Sequence, residues 1–158
     1  MDASRADIAS FYWIALGSGL ISPESPIRWA DEQIAAVDVP DIQMIELSLA
    51  SGRPLRHLLD ALRVFGSVPT PTAFRFFGGL LHDLVADGTL NEHAAAKQLY
   101  GLYSQYGSAA ADVLGRVICC IDEYFDPYLQ IGDGPAEVRG LLEPFAAIEL
   151  PPLSPARG

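Results

Sequence analysis

The chain has 158 residues, half of them hydrophobic and 19% charged, with a net charge of -10 and a pI near 4.5. A chain of this length forms about one domain and buries roughly two thirds of the surface of its unfolded form, so neither disorder nor a disulfide scaffold is expected. The shortage of Lys and Arg excludes a surface built to hold phosphates, and with it nucleic acid as a direct partner.

The charge is uneven. Residues 1–79 carry nine acids against six bases, and residues 80–158 carry eleven against four. A field of this sign speeds encounters with a basic partner and repels acidic ones, although solubility alone also accounts for it. Cys119 and Cys120 are neighbours, a spacing at which ordinary disulfide geometry is hard to reach, so reduced thiols are expected. Neither a secretory leader nor an apolar run long enough to span a bilayer is visible, which gives the expectation of a cytoplasmic protein without membrane contact.

The pattern is helical throughout. Ser4 and Asp7 have the spacing of a capping box, and Ile8, Phe11, Tyr12, Ala15 and Leu16 follow at helical intervals, widened by Trp13 and Ile14. Gly19 ends this first helix. Gly19-Leu20-Ile21-Ser22 then reads as a C′ glycine, a connector and an N-cap, and Pro23 or Pro26 suits the first turn of helix two. Its stripe is Ile27, Ala30, Ile34 and Val37, closed by Val39-Pro40. Asp41 caps a short third helix with Ile42, Ile45 and Leu49 inward, and Leu55, Leu58, Leu59, Leu62 and Phe65 make helix four, with Arg56, His57, Asp60 and Arg63 outside.

Past the prolines at 69 and 71, residues 72–106 predict an antiparallel helical hairpin. Phe74, Phe77, Leu81, Leu84 and Val85 form one stripe, and Ala95, Leu99, Leu102, Tyr103 and Tyr106 the other. Gly88-Thr89-Leu90-Asn91 joins them by the same layout as the turn at Gly19, too short to let the helices diverge. Ser108 is the expected cap of helix seven, with Ala110, Leu114, Val117, Ile118, Ile121 and Phe125 inward. Residues 126–135 read as a packed loop or a short extended piece holding Leu129 and Ile131. Pro135 opens a last helix with Val138, Leu141, Leu142 and Phe145. The expected fold is all-α, one domain over 1–149 with seven or eight helices in antiparallel pairs, as an irregular bundle or a short superhelical array, and a flexible tail over 150–158.

Few residues suggest chemistry. The segments beginning at Gly17 and Gly132 match no phosphate-binding loop, and Gly17-Ser18-Gly19 no nucleophile elbow. His57 with Asp60, or His82 with Asp83 or Asp87, could approach a metal, but each lies on the polar side of its stripe and reads better as a solvated helix residue. Cys119 and Cys120 flank a core edge, where cysteine is usually an inert small hydrophobe. No catalytic, cofactor or metal site is expected. What remains is an acidic and aromatic run: Asp122, Glu123, Tyr124, Asp126, Tyr128, Asp133 and Glu137, with no Lys or Arg between Arg116 and Arg139. Aromatics supply contact area and carboxylates steer toward a basic protein, so these seven are the candidate partner-binding residues; the bland alternative is a solvated face over half-buried packing.

Trp13 to Ser22, Ile27-Arg28-Trp29-Ala30, Ile45-Glu46-Leu47 and Lys97-Gln98-Leu99-Tyr100, ahead of the acidic-aromatic end, resemble small all-α bacterial proteins of the immunity-protein type, found near secreted polymorphic toxins. The resemblance implies a cytoplasmic protein that binds and blocks a partner, and carries over no catalytic residues. Two functions are therefore expected from the sequence. One is a non-enzymatic acidic binding protein, such as an immunity-type inhibitor of a basic toxin or nuclease. The other is a homodimeric structural or adaptor module using an apolar face around Trp13 and Trp29.

Overall fold

A computed structural model describes residues 2–154, which are all-helical, with eight α-helices, three 3-10 turns and no strand among them. Among the described residues the chain groups into two compact units, residues 2–73 with 151–154 and residues 74–150.

The first unit holds α1 (Arg5–Gly17), α2 (Glu24–Ala35), α3 (Ile42–Ser48) and α4 (Leu55–Arg63). The predicted capping box opens α1: the Asp7 backbone N–H donates to Ser4 Oγ at 3.1 Å, and the Ser4 backbone N–H donates to Asp7 Oδ2 at 2.9 Å. At the other end Gly19 takes a left-handed φ of 72°, and its N–H and that of Leu20 reach the Leu16 and Ala15 carbonyls, closing a Schellman turn. Ser22 Oγ accepts from Glu24 N–H at 3.2 Å, but the cap position of α2 falls on Pro23 rather than on the predicted Ser22.

α1 packs on α2 and α4, and α3 packs on both α2 and α4. Their shared core is aromatic. Tyr12 lies 5.6 Å, ring to ring, from both Phe11 and Trp29, and Trp29 lies 5.9 Å from Phe65. Phe11, Tyr12, Trp29, Leu58 and Leu62 are almost wholly buried, each worth about 1.5–3 kcal/mol by area. Trp29 is only 3% exposed, and the Arg63 guanidinium lies 5.7 Å over the Trp13 ring.

Asp41 caps α3 as expected, accepting from Gln43 N–H at 2.9 Å, but the helix is rolled relative to its predicted stripe. Met44 and Leu47 are buried, while Ile42 and Leu49 are 68% and 65% exposed. A helix of seven residues has room for two competing apolar stripes, and the larger contact with α2 and α4 selects one. The Ser48 hydroxyl donates to the Asp31 carboxylate, holding that roll.

Residues 151–154, within the expected tail over 150–158, pack into this unit. Tyr12 Oη donates to the Pro152 carbonyl at 2.7 Å, Ser154 N–H donates to Ser25 Oγ at 2.9 Å, and Pro151 and Ser154 are buried. Apolar Pro151 and Leu153 and a free backbone donor give this segment something to bury and something to bond. The rest of the expected tail, 155–158, lies outside the described residues.

Burial, with a smaller contribution from Glu32, holds the Tyr12 phenol well above its ordinary value of 10.0. Tyr12 therefore stays neutral in the fold at a pH where the unfolded chain sheds the proton. Its contribution to stability is full below about pH 10 and is lost as pH rises from there toward the folded value. Denaturant titrations from pH 8 upward are expected to show this alkaline loss, and Tyr12→Phe to flatten it.

The second unit is organised on α6 (Glu92–Tyr106), which packs against α7 (Ser108–Leu114), the 3-10 turns Arg116–Cys119 and Ile121–Phe125, and α8 (Gly134–Leu142). α5 (Pro71–Ala86) contributes its residues from Phe74 onward, and the predicted hairpin to α6 is present. Gly88 has φ of 78°, Asn91 Oδ1 accepts from Ala94 N–H at 2.8 Å, and the Phe74 ring near the start of α5 meets Tyr106 at the end of α6, 5.6 Å away. That contact fixes the antiparallel sense.

The predicted seventh helix is cut short. Ser108 is its first residue rather than its cap, Gly107 precedes it at φ 59°, and Gly115 at φ 105° stops it. A Cβ on Gly115 would come within 2.9 Å of Leu141 Cδ1, so the site demands glycine twice over. Ile118 and Ile121 are still buried, because 3-10 turns with i, i+3 spacing return them to the same side.

Candidate functional site

All seven acidic and aromatic candidates lie in the second unit. Asp122, Glu123 and Tyr124 sit on the turn Ile121–Phe125, Asp126 and Tyr128 on the loop after it, and Asp133 and Glu137 at the start of α8. The turn and α8 pack against each other and against α6, so the run closes on itself instead of trailing along one helix.

The loop has a defined shape. Asp126 Oδ1 accepts from Tyr128 N–H at 2.8 Å, and Asp133 Oδ1 accepts from Ala136 N–H at 3.0 Å, capping α8. Between these two carboxylates Gln130 takes φ of 48° and Gly132 φ of 156°. Gly134 lies under the turn: a Cβ there would meet the Tyr124 carbonyl at 2.9 Å and the Phe125 ring at 3.0 Å. On its other side Phe125 stacks on His93, with centroids 4.6 Å apart and planes 8° from parallel.

The structure thus sorts the candidates. Asp126 and Asp133 are committed to backbone turns, and Tyr124 and Asp122 are half-buried. Glu123 and Glu137 are exposed, and neither takes part in an ion pair among the described residues. Tyr128 is 91% exposed. Leu129 and Ile131, expected inside a packed loop, are each 49% exposed. The flanking aspartates bond the backbone at Tyr128 and Ala136, and half of each side chain stays in water. Tyr128, Leu129 and Ile131 thus expose apolar surface within the acidic 122–137 run.

The other candidates are dispersed. His57 lines a shallow 430 Å³ groove between α3 and α4 with Glu46, Arg53 and Asp60. His82 Nδ1 lies 3.1 Å from Asp83 Oδ1 in the second unit. No group of three His, Cys, Asp or Glu among the described residues is placed to hold a metal. Cys119 is exposed, and Cys120, whose thiol points to the Val117 carbonyl at 3.6 Å, is pushed up in pKa by burial, by the Cys119 thiol and by Glu123 and Asp122. That environment disfavours the thiolate a nucleophile needs.

One feature has no sequence forewarning. Arg139 of α8 donates to Glu92 Oε1 of α6 at 2.6 Å, beside a 260 Å³ cavity shared with His82 and Glu143. The Glu92 carboxyl is held below its ordinary range by its own backbone N–H and by Arg139. Partners 47 positions apart leave no periodic trace. Among the described residues no helix is long and apolar enough to cross a membrane. Compared with protein families, curated proteins and solved structures, the chain finds no match.

Proposed function

We propose that this chain is a non-enzymatic acidic binding protein that docks a basic protein through its 122–137 edge, in the manner of an immunity-type inhibitor covering a toxin or nuclease in the bacterial cytoplasm. The observation that carries the reading is the projection of Tyr128, Leu129 and Ile131, exposed on a loop pinned by two aspartates. A soluble chain gains nothing for its own fold by holding a tyrosine 91% in water. A rigid aromatic anchor with apolar neighbours and a rim of carboxylates is the composition of an interface hot spot, where the anchor supplies affinity and the rim supplies steering. No Lys or Arg from Val117 to Val138 dilutes that rim, so the partner's matching surface is basic.

Glu123 and Glu137 test the steering role, because both are exposed and bond to nothing that shapes the loop. Asp126 is unsuited, since replacing it removes the Tyr128 turn bond. Glu123→Lys with Glu137→Gln is expected to slow association with the toxin encoded beside the gene about tenfold at low salt and to flatten its salt dependence. The melting temperature should stay within about 2 °C. An association rate indifferent to both charge and salt would sink the reading.

A further inference from the structure

The cavity beside the Arg139 and Glu92 pair is the strongest unassigned feature of the second unit. It measures 260 Å³, and Val85, Ala86 and Leu142 give it an apolar lining next to the carboxylates of Glu92 and Glu143. Arg139 is neutralised by Glu92 at 2.6 Å, which leaves Glu143 as the surplus charge, exposed and with no ion pair among the described residues. An anion entering would face Glu143 and Glu92. A cation with an apolar stem meets a carboxylate at its head and aliphatic walls along its length.

The cavity also lies near the acidic edge. Glu92 senses the Asp133 charge, and His93, the next residue, stacks on Phe125 of the turn that carries Asp122 and Glu123. From these contacts we infer that the cavity lined by Val85, Leu142, Glu92 and Glu143 is a socket for an arginine side chain of the basic partner. Arginine fits better than lysine. Its planar fork bonds a carboxylate in two places and sheds water more readily, its three methylenes match the aliphatic lining, and the volume exceeds what an ammonium needs.

The socket rests on the reading that the partner is basic, but its test needs no partner. N-acetyl-arginine-N-methylamide is titrated into the full chain, with the citrulline analogue as a control of equal shape and no charge, and NMR shifts are followed at His82, Val85 and Ala86. Saturable shifts there with the arginine probe alone are expected, and Glu143→Gln should weaken that binding about tenfold. Equal binding of citrulline, shifts centred elsewhere, an undiminished response in Glu143→Gln or no saturation would each overturn the socket. Such a failure leaves the Tyr128 edge standing, whereas a toxin that binds independently of salt removes the basic-partner reading whatever the probe does.

Discussion

Tyr128→Ala is expected to weaken binding of the proposed basic protein partner by about 2 kcal/mol, roughly thirtyfold, and to leave the melting temperature where it was. The two halves of that result come from one number. A side chain 91% exposed makes almost no intramolecular contact, so its removal costs the fold little. The backbone it hangs from is fixed by its own N–H bond to Asp126 and by the Asp133 cap, neither of which involves the ring. The loss should appear mainly in the dissociation rate, as for an anchor buried only in the complex, while the charge variants act on association. Tyr128→Phe should retain most of the affinity if packing area is what the ring supplies. Calorimetry and stopped-flow binding on the same preparations read both effects.

Gly78→Val is expected to have the opposite profile, a stability loss of about 3 kcal/mol or failure to fold, before any function is tested. Gly78 sits inside α5, where glycine is normally a cost. Here a Cβ would lie 2.9 Å from Phe145 Cγ and 3.1 Å from Leu114 Cδ2, and one on Gly79 would lie 3.2 Å from Leu150 Cδ2. The paired glycines let Phe145, 7% exposed, seat against the helix backbone. A β-branched side chain has no rotamer that avoids both neighbours. Gly101, in α6, is the contrast: a Cβ there meets nothing within 4 Å, so Gly101→Ala should be neutral or stabilising in the same urea titration.

Legibility in the sequence followed the range of the interaction. Ser4, Asp41 and Asn91 were readable as caps and Gly19 and Gly88 as helix ends, because capping chemistry is settled within four residues. The burial of Phe11, Leu58, Phe77 and Leu99 was readable because long amphipathic helices have one way to face a core. The stop at Gly115 was hidden, since a 3-10 continuation keeps Ile118 and Ile121 at positions an α-helical stripe also permits. The roll of α3 was hidden because Ile42 and Leu49 compete with Met44 and Leu47 at equal hydrophobicity. At the site, the charge of the 122–137 run was visible in one dimension. The capping duty of Asp133 is local, three residues from Ala136, whereas the exposure of Leu129 and Ile131 and the meeting of Glu92 with Arg139 depend on where separate elements arrive, and sequence spacing does not encode that.

The central claim is that the 122–137 edge is the proposed docking surface, and amide hydrogen exchange on the chain with and without the proposed basic partner tests it most directly. Protection on binding is predicted at the turn Ile121–Phe125, the Tyr128 loop and the first turn of α8, with α3 and α4 unchanged. Protection confined to the groove beside Leu49 and Val64, with the Tyr128 loop exchanging as freely as before, would contradict it.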